Sequence, residues 1–185
     1  MKHLGTKMLE TDRLVLRPFV REDAQPMYDN WASDPAVTKF LSWPSYKCVE
    51  DAHEILNIWL KCYEKPDFYQ WAIVLKELGQ PIGSISVVNS DDRVDMAEIG
   101  YCIGKSWWGR GIMPEAMSAV MDYLFRQVQM QRIEAGHDPE NPASGAVLRK
   151  CGLKYEGTLR RRIRSNRGIT DVNWYSVLKE EYNLG

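Results

Sequence analysis

"AEIGYCIGKSWWGRGIMPEAM", residues 97–117, decides the fold, because it writes a strand, a glycine loop and a helix without interruption. Residues 96–103 read as a strand in which Glu98, Gly100 and Cys102 share one face. Met117, Val120, Met121 and Leu124 then fall at the i, i+3, i+4, i+7 spacing of a helix face. Between them, Gly109 and Gly111 lack a Cβ and accept positive φ. The amides of Gly109, Arg110, Gly111, Ile112 and Met113 can therefore converge on one anion at a helix N-terminus, where unpaired N–H groups and the dipole favour negative charge. Pro114 donates no N–H, which is harmless in a first helical turn. A tight strand-to-helix turn also asks for glycine, and the loop alone does not choose between the two.

Working outward, "MLETDRLVLRPF" reads as a first strand closed by Pro18, followed by helices over about Glu22–Ser33 and Val49–Lys61. "FYQWAIVL" (68–75), "PIGSISVV" (81–88) and 96–103 form an antiparallel meander, separated by turn residues that include 89–92. After the loop and its helix come a strand over 132–137, a short helix and two more strands. The order β-α-α-β-β-β-α-β-α-β-β predicts a mixed α/β or α+β fold, not a doubly wound sheet. About seven strands and about four helices are expected.

Composition narrows the classes. The 185 residues, 44% of them hydrophobic, suit one domain over 1–185, and no repeat or linker divides them. Twenty-four Lys+Arg against 25 Asp+Glu give a net charge of −1, so bulk attraction to nucleic acid or an anionic membrane is not expected. Four scattered cysteines without a C-x-x-C pair, and an opening stretch without the apolar run of a signal peptide, suggest a reduced, cytoplasmic setting. No apolar stretch approaches transmembrane length.

In letters and context, 97–117 resembles the acetyl-coenzyme A signature of the GNAT superfamily of N-acetyltransferases, whose Q/R-x-x-G-x-G/A loop cradles a pyrophosphate. "NPASGAVLRKCGLKYEGTLR" (141–160) is similar to the superfamily's second signature. "LETDRLVLRPFVREDA" (9–24) resembles the start of its Rim-type branch, which acetylates N-terminal α-amines of ribosomal proteins. The resemblance implies the GNAT fold, a central mixed, mostly antiparallel twisted sheet flanked by helices. It also implies acetyl-CoA as cosubstrate and direct transfer to a primary amine, with a protein N-terminus as acceptor. A small amine (antibiotic, polyamine or amino acid) or a non-catalytic acyl-CoA-binding domain are the alternatives. Trp108 and Met113 depart from the motif, where Gln or Arg and Gly or Ala are usual; Met113 must turn its side chain away from the phosphate.

Acetyl transfer needs an uncharged amine, a stabilised oxyanion and a proton for the departing thiolate. An α-amine, with a pKa of about 7.7–8.0, needs only a modest base. Glu98 is the candidate, either as base or substrate-positioning group or as a glutamate on a solvated face; by the resemblance, "AEI" matches the segment that supplies the base. Gly100 beside it suggests a bulge that opens the sheet, so that a pantetheine arm can pair with the main chain of Tyr101, Cys102 and Ile103. Asn141, Pro142 and Gly152 read as the N-cap, first residue and stop of a short helix. By the resemblance, Asn141 and Ser144 lie near the coenzyme's pantetheine and thiol, with Ser144 a possible acid. Tyr155 and Tyr175 are rival acids.

Other features point less far. His53 and His137 have no partner at a metal-ligand spacing, so no metal is expected. Cys102 reads as a small buried side chain more readily than as a nucleophile. "LRRRIRSNRG" (159–168) predicts a hairpin with a solvated basic face, and Trp31 and Trp43 are candidates to line an acceptor pocket. A monomer and a homodimer fit the sequence equally well.

Overall fold

In the computed structural model, residues 2–182 are described; Met1 and residues 183–185 of the expected 1–185 span lie outside the described residues. One sheet carries the strands β1 (Leu9–Glu10), β2 (Leu14–Arg17), β3 (Gln70–Leu75), β4 (Gln80–Asp91), β5 (Met96–Ile103), β6 (Arg132–His137), β7 (Lys154–Ser165) and β8 (Gly168–Leu178). Their spatial order is β1-β2-β3-β4-β5-β6-β8-β7. All neighbours are antiparallel except β5 and β6. The helices are α1 (Ala24–Met27), α2 (Pro35–Thr38), α3 (Val49–Cys62), α4 (Ile112–Tyr123) and α5 (Pro142–Lys150).

Period-2 alternation sends the side chains of each central strand into two cores. Leu14, Leu16, Trp71, Ile73, Ala97 and Ile99 pack with α4 on one face. Val15, Ala72, Val74 and Cys102 meet Phe19, Met27, Trp31 and Leu56 on the other. β3 is therefore covered on both sides, and five of its six residues are buried.

Several sequence expectations are corrected here. The first strand is two, β1 and β2, joined by a turn in which the Thr11 hydroxyl accepts from the Leu14 amide at 3.0 Å, so the sheet has eight strands. The helix expected over Glu22–Ser33 is a 3₁₀ turn (Arg21–Asp23), α1 and a π turn (Tyr28–Ala32). Pro26 lacks the N–H that would bond back to Glu22, which disfavours regular α geometry through this stretch. α2 was not anticipated; the Asp34 side chain caps it by accepting from the Ala36 amide at 2.8 Å, with Pro35 at its first position. β4 runs on to Asp91 instead of stopping at Val88.

The decisive topological feature is the β5–β6 pair. Only Met96, Ala97 and Glu98 pair with Arg132, Ile133 and Glu134, after which no β5–β6 pairing continues. β5 remains paired to β4 as far as Ile103. Beyond Glu98, then, the β6-side edge of β5 has no strand partner, and α5 follows β6 at the mouth of the gap. The irregularity expected at Gly100 sits opposite it, on β4, between Val87 and Asn89. Gly100 is what admits it: a Cβ there would lie 2.7 Å from Val88 Cγ1.

Candidate active site

Two cavities meet at the open end of β5. The smaller, about 350 Å³, runs between the 103–114 loop and α5, lined by Ile103, Gly109, Gly111, Ile112, Met113 and Val147 among others. The larger, about 660 Å³, lies beneath the segment between α2 and α3 and holds Glu98. Phe40, Leu41, Tyr101, Cys102, Asn141 and Ser144 line both.

Gly109 and Gly111 adopt φ of +74° and +71°, and Gly111 is the N-cap of α4. An added Cβ on Gly109 would meet nothing within 4 Å, so the main chain is open to an approaching group. Met113 is 5% exposed and packs into the core, which leaves its amide free of its own side chain at the loop. Arg110 does not line the cavity; its carbonyl accepts from Arg13 Nη1 at 2.9 Å. Arg13 also pairs with Glu115, whose carboxylate accepts from the Thr11 hydroxyl at 2.6 Å. This strap fastens the β1–β2 turn to the loop, and no local sequence signal links residues so far apart.

Asn141 caps α5, its side chain accepting from the Ser144 amide at 3.3 Å. The Ser144 hydroxyl lies 2.8 Å from the Tyr101 hydroxyl, which also donates to the Ser144 carbonyl at 3.1 Å. Burial pushes the Tyr101 phenol well above its ordinary pKa, so it stays protonated. The rival tyrosines are elsewhere: Tyr155 bonds Thr158 at 2.7 Å, and buried Tyr175 accepts from Arg149 at 3.2 Å. Neither lines either of these two cavities. The tyrosine brought to Ser144 is Tyr101, which the sequence suggested only as a main-chain contact. The Ile103 carbonyl already accepts from the Trp108 indole at 2.8 Å. Cys102 bonds Ser84 at 3.4 Å, and burial raises its pKa, which disfavours a nucleophilic thiolate.

Glu98 sits on the opposite face of β5 from Tyr101, within the larger cavity. Burial and the nearby Glu134 raise its pKa, while Arg162 and a hydrogen bond from Asn89 oppose the shift. The face is therefore not simply solvated. Trp31 and Trp43 both line this cavity, and the buried Trp31 Nε1 has no hydrogen-bond partner.

The arginine hairpin forms as expected, and Arg160, Arg161, Arg162 and Arg164 on its β7 arm are exposed, so its basic face is solvated. A register shift between Leu159 and Ile163 breaks the strand alternation, with Arg161 at φ +50°. Arg162 lies over the Trp174 ring at 6.0 Å and lines the cavity. At the tip, Asn166 donates from its amide to Leu41 at 3.0 Å, and from its side chain to Thr38 and Trp43, each at 2.8 Å. Arg167 binds both Asp138 oxygens at 2.9 Å and pairs with Glu140. Among the described residues, no three His, Cys, Asp or Glu converge as metal ligands, and no helix is long and apolar enough to cross a membrane.

A sequence profile of the acetyltransferase (GNAT) domain matches residues 13–154. The uncharacterized N-acetyltransferase p20 of Bacillus licheniformis is 33% identical over 174 residues, covering 94% of this chain and 97% of its own. Among solved structures, RimL, a ribosomal L7/L12 alpha-N-protein acetyltransferase in complex with coenzyme A, superposes with a TM-score of 0.83 at 22% identity, over 93% of this chain and 98% of its own. MccE, the microcin C7 self-immunity acetyltransferase in complex with acetyl-CoA and AMP, gives 0.81 at 21%, over 91% and 93%. The glycine loop at the head of α4, the parted β5–β6 pair and these matches lead to one assignment: the chain belongs to the GNAT family and is an N-acetyltransferase.

Proposed function

We propose that the chain moves an acetyl group from acetyl-CoA directly onto an α-amine within one ternary complex, acting as a single domain. The observation that carries this is the meeting of the two cavities at Tyr101, Cys102, Asn141 and Ser144, which gives donor and acceptor separate entrances to one point. The open loop amides at 109–113 suit the coenzyme's phosphates, and the free edge of β5 suits its amide-bearing arm. Phosphate and amide groups fit these donors without any metal.

In this reading Glu98 takes a proton from the ammonium, directly or through water. The amine nitrogen attacks the thioester carbon, the C–N bond forms, the nitrogen releases its second proton to solvent and the C–S bond breaks, Ser144 later regaining its proton from solvent. Ser144, backed by the Tyr101 phenol, supplies the proton that the sulfur leaves with. A raised carboxylate pKa suits a base working near neutral pH.

RimL supports a protein N-terminal α-amine as acceptor. MccE, crystallised with AMP, supports a small molecule, and the roofed cavity around Glu98 favours that second reading. A cytoplasmic setting is supported by four cysteines that stand as free thiols. The test is acceptor-dependent release of free thiol from acetyl-CoA, with the acetylated product identified by mass. Coenzyme binding without thiol release on any α-amine, peptide or small, would leave an acyl-CoA-binding domain. Turnover is expected to persist in chelator, and activity lost there and restored by zinc would overturn the metal-free mechanism.

A further inference from the structure

The larger cavity combines two features that an acceptor ending in a small residue would leave unused. The first is its walls: Met27, Trp31, Trp43, Tyr46, Ile55 and Trp59 make an apolar, mostly aromatic pocket. At about 660 Å³ the whole cavity lies within the range of roughly 300–1,000 Å³ usual for small-molecule sites. The second is its charges. Four ionisable side chains other than tyrosine and cysteine line it: Glu98, His137, Asp138 and Arg162. Asp138 is neutralised by Arg167; His137 is buried and bonds the Asp138 carbonyl through Nδ1 at 2.8 Å, while its Nε2 has no hydrogen-bond partner. That leaves Glu98, which accepts from Asn89, and the exposed Arg162; both line the cavity, and among the described residues neither makes an ion pair within 4.0 Å.

Two opposite charges lining one cavity from different strands, with no ion pair between them, are complementary to a molecule that carries both charges itself. A free α-amino acid does so at neutral pH, on adjacent groups of one carbon. Resting on the acetyltransferase reading above, we propose that the acceptor is a free α-amino acid with a bulky apolar or aromatic side chain. Its ammonium meets Glu98, its carboxylate meets Arg162 and its side chain fills the aromatic walls. A peptide N-terminus replaces the carboxylate with a neutral amide and forgoes the charge contact with Arg162, which then stays with solvent. Its following residues must also pass the 38–46 segment, which the hairpin tip holds down through Asn166. Arg162 is a binding residue here, since its cation lies apart from the bonds that change.

The experiment measures acetylation with three acceptor sets: free Leu, Met, Phe and Trp beside free Ala and Ser; the same residues as carboxamides; and the same residues heading amidated tripeptides. The bulky free acids should exceed both their carboxamides and free Ala or Ser in kcat/KM by about 10- to 100-fold, the range of one charge-assisted hydrogen bond or one filled apolar pocket. In Arg162→Gln the acid-to-amide ratio should fall toward one, through KM and not kcat, while the preference for bulky side chains survives. Equal rates on acids and amides, or better rates on peptides, including those with an acidic second residue, would overturn the inference and leave the acetyltransferase reading standing. Acetyl-CoA binding with no turnover on any amine would overturn both.

Discussion

Glu98 is held between opposing influences, and its behaviour with pH follows from them. Burial and Glu134 across the parallel β5–β6 pair raise its pKa, while Arg162 and Asn89 pull it down, and the net direction is upward. The basic form is thus lost at a higher pH than for an ordinary glutamate, so kcat/KM should climb as pH rises through the raised value. Glu98→Gln removes the basic lone pair; turnover near neutrality should fall about 10²- to 10⁴-fold, with acetyl-CoA affinity kept and partial rescue at alkaline pH. Steady-state kinetics over pH 6–9 check this, and wild-type constants throughout would remove Glu98 from the mechanism. The linkage sign also predicts a stability effect. A carboxyl whose folded pKa is raised costs stability once ionised, so Glu98→Gln should leave thermal stability at pH 7 unchanged or higher. On the coenzyme side, Ser144→Ala and Tyr101→Phe should each lower kcat. If the two hydroxyls 2.8 Å apart act as one relay, the double variant should lose little more than the worse single variant.

At the scale of elements, the head of α4 joins backbone conformation to binding. Gly111 at φ +71° both caps the helix and opens the loop. A Cβ there costs about 1–2 kcal/mol in the left-handed region, so Gly111→Ala should lower stability modestly. Its larger effect should be on acetyl-CoA affinity, a loss of about tenfold or more by calorimetry on the folded variant; unchanged affinity would make the loop a turn and nothing else. A second junction ties β2 to the turn before α1. Both Asp23 carboxylate oxygens accept from Arg17, at 2.7 and 2.8 Å, and one also takes the Val20 amide at 2.9 Å. The Asp23 side chain is only 5% exposed, so Asp23→Ala strands a partly buried guanidinium. The expected cost is about 3–5 kcal/mol, read from urea unfolding.

Across the whole molecule, residues distant in the chain close one cavity. The hairpin tip at Asn166 holds the segment between α2 and α3, and Arg167 stacks on Phe40 at 5.6 Å. Asn166→Ala removes two bonds to this roof, and the acceptor KM should rise up to about 30-fold while coenzyme affinity stays, if each bond contributes roughly 1 kcal/mol. The strands at 96–103 and 132–137, the glycine loop and the Asn141–Gly152 helix were legible in the sequence, because alternation, a required positive φ and caps are written within a few residues. Glu98 stood out by its strand position, Asn141 as a cap, and Ser144 through the resemblance; all three line the larger cavity. Tyr101 as partner of Ser144, the Arg13–Glu115 strap, and Arg162 lining the same cavity as Glu98 were not legible. Each depends on where the sheet parts, how far a bulge turns a strand and which loops pack over the gap. A local pattern fixes which face of its own element a side chain occupies; only the packing of elements far apart in the chain decides what that face meets.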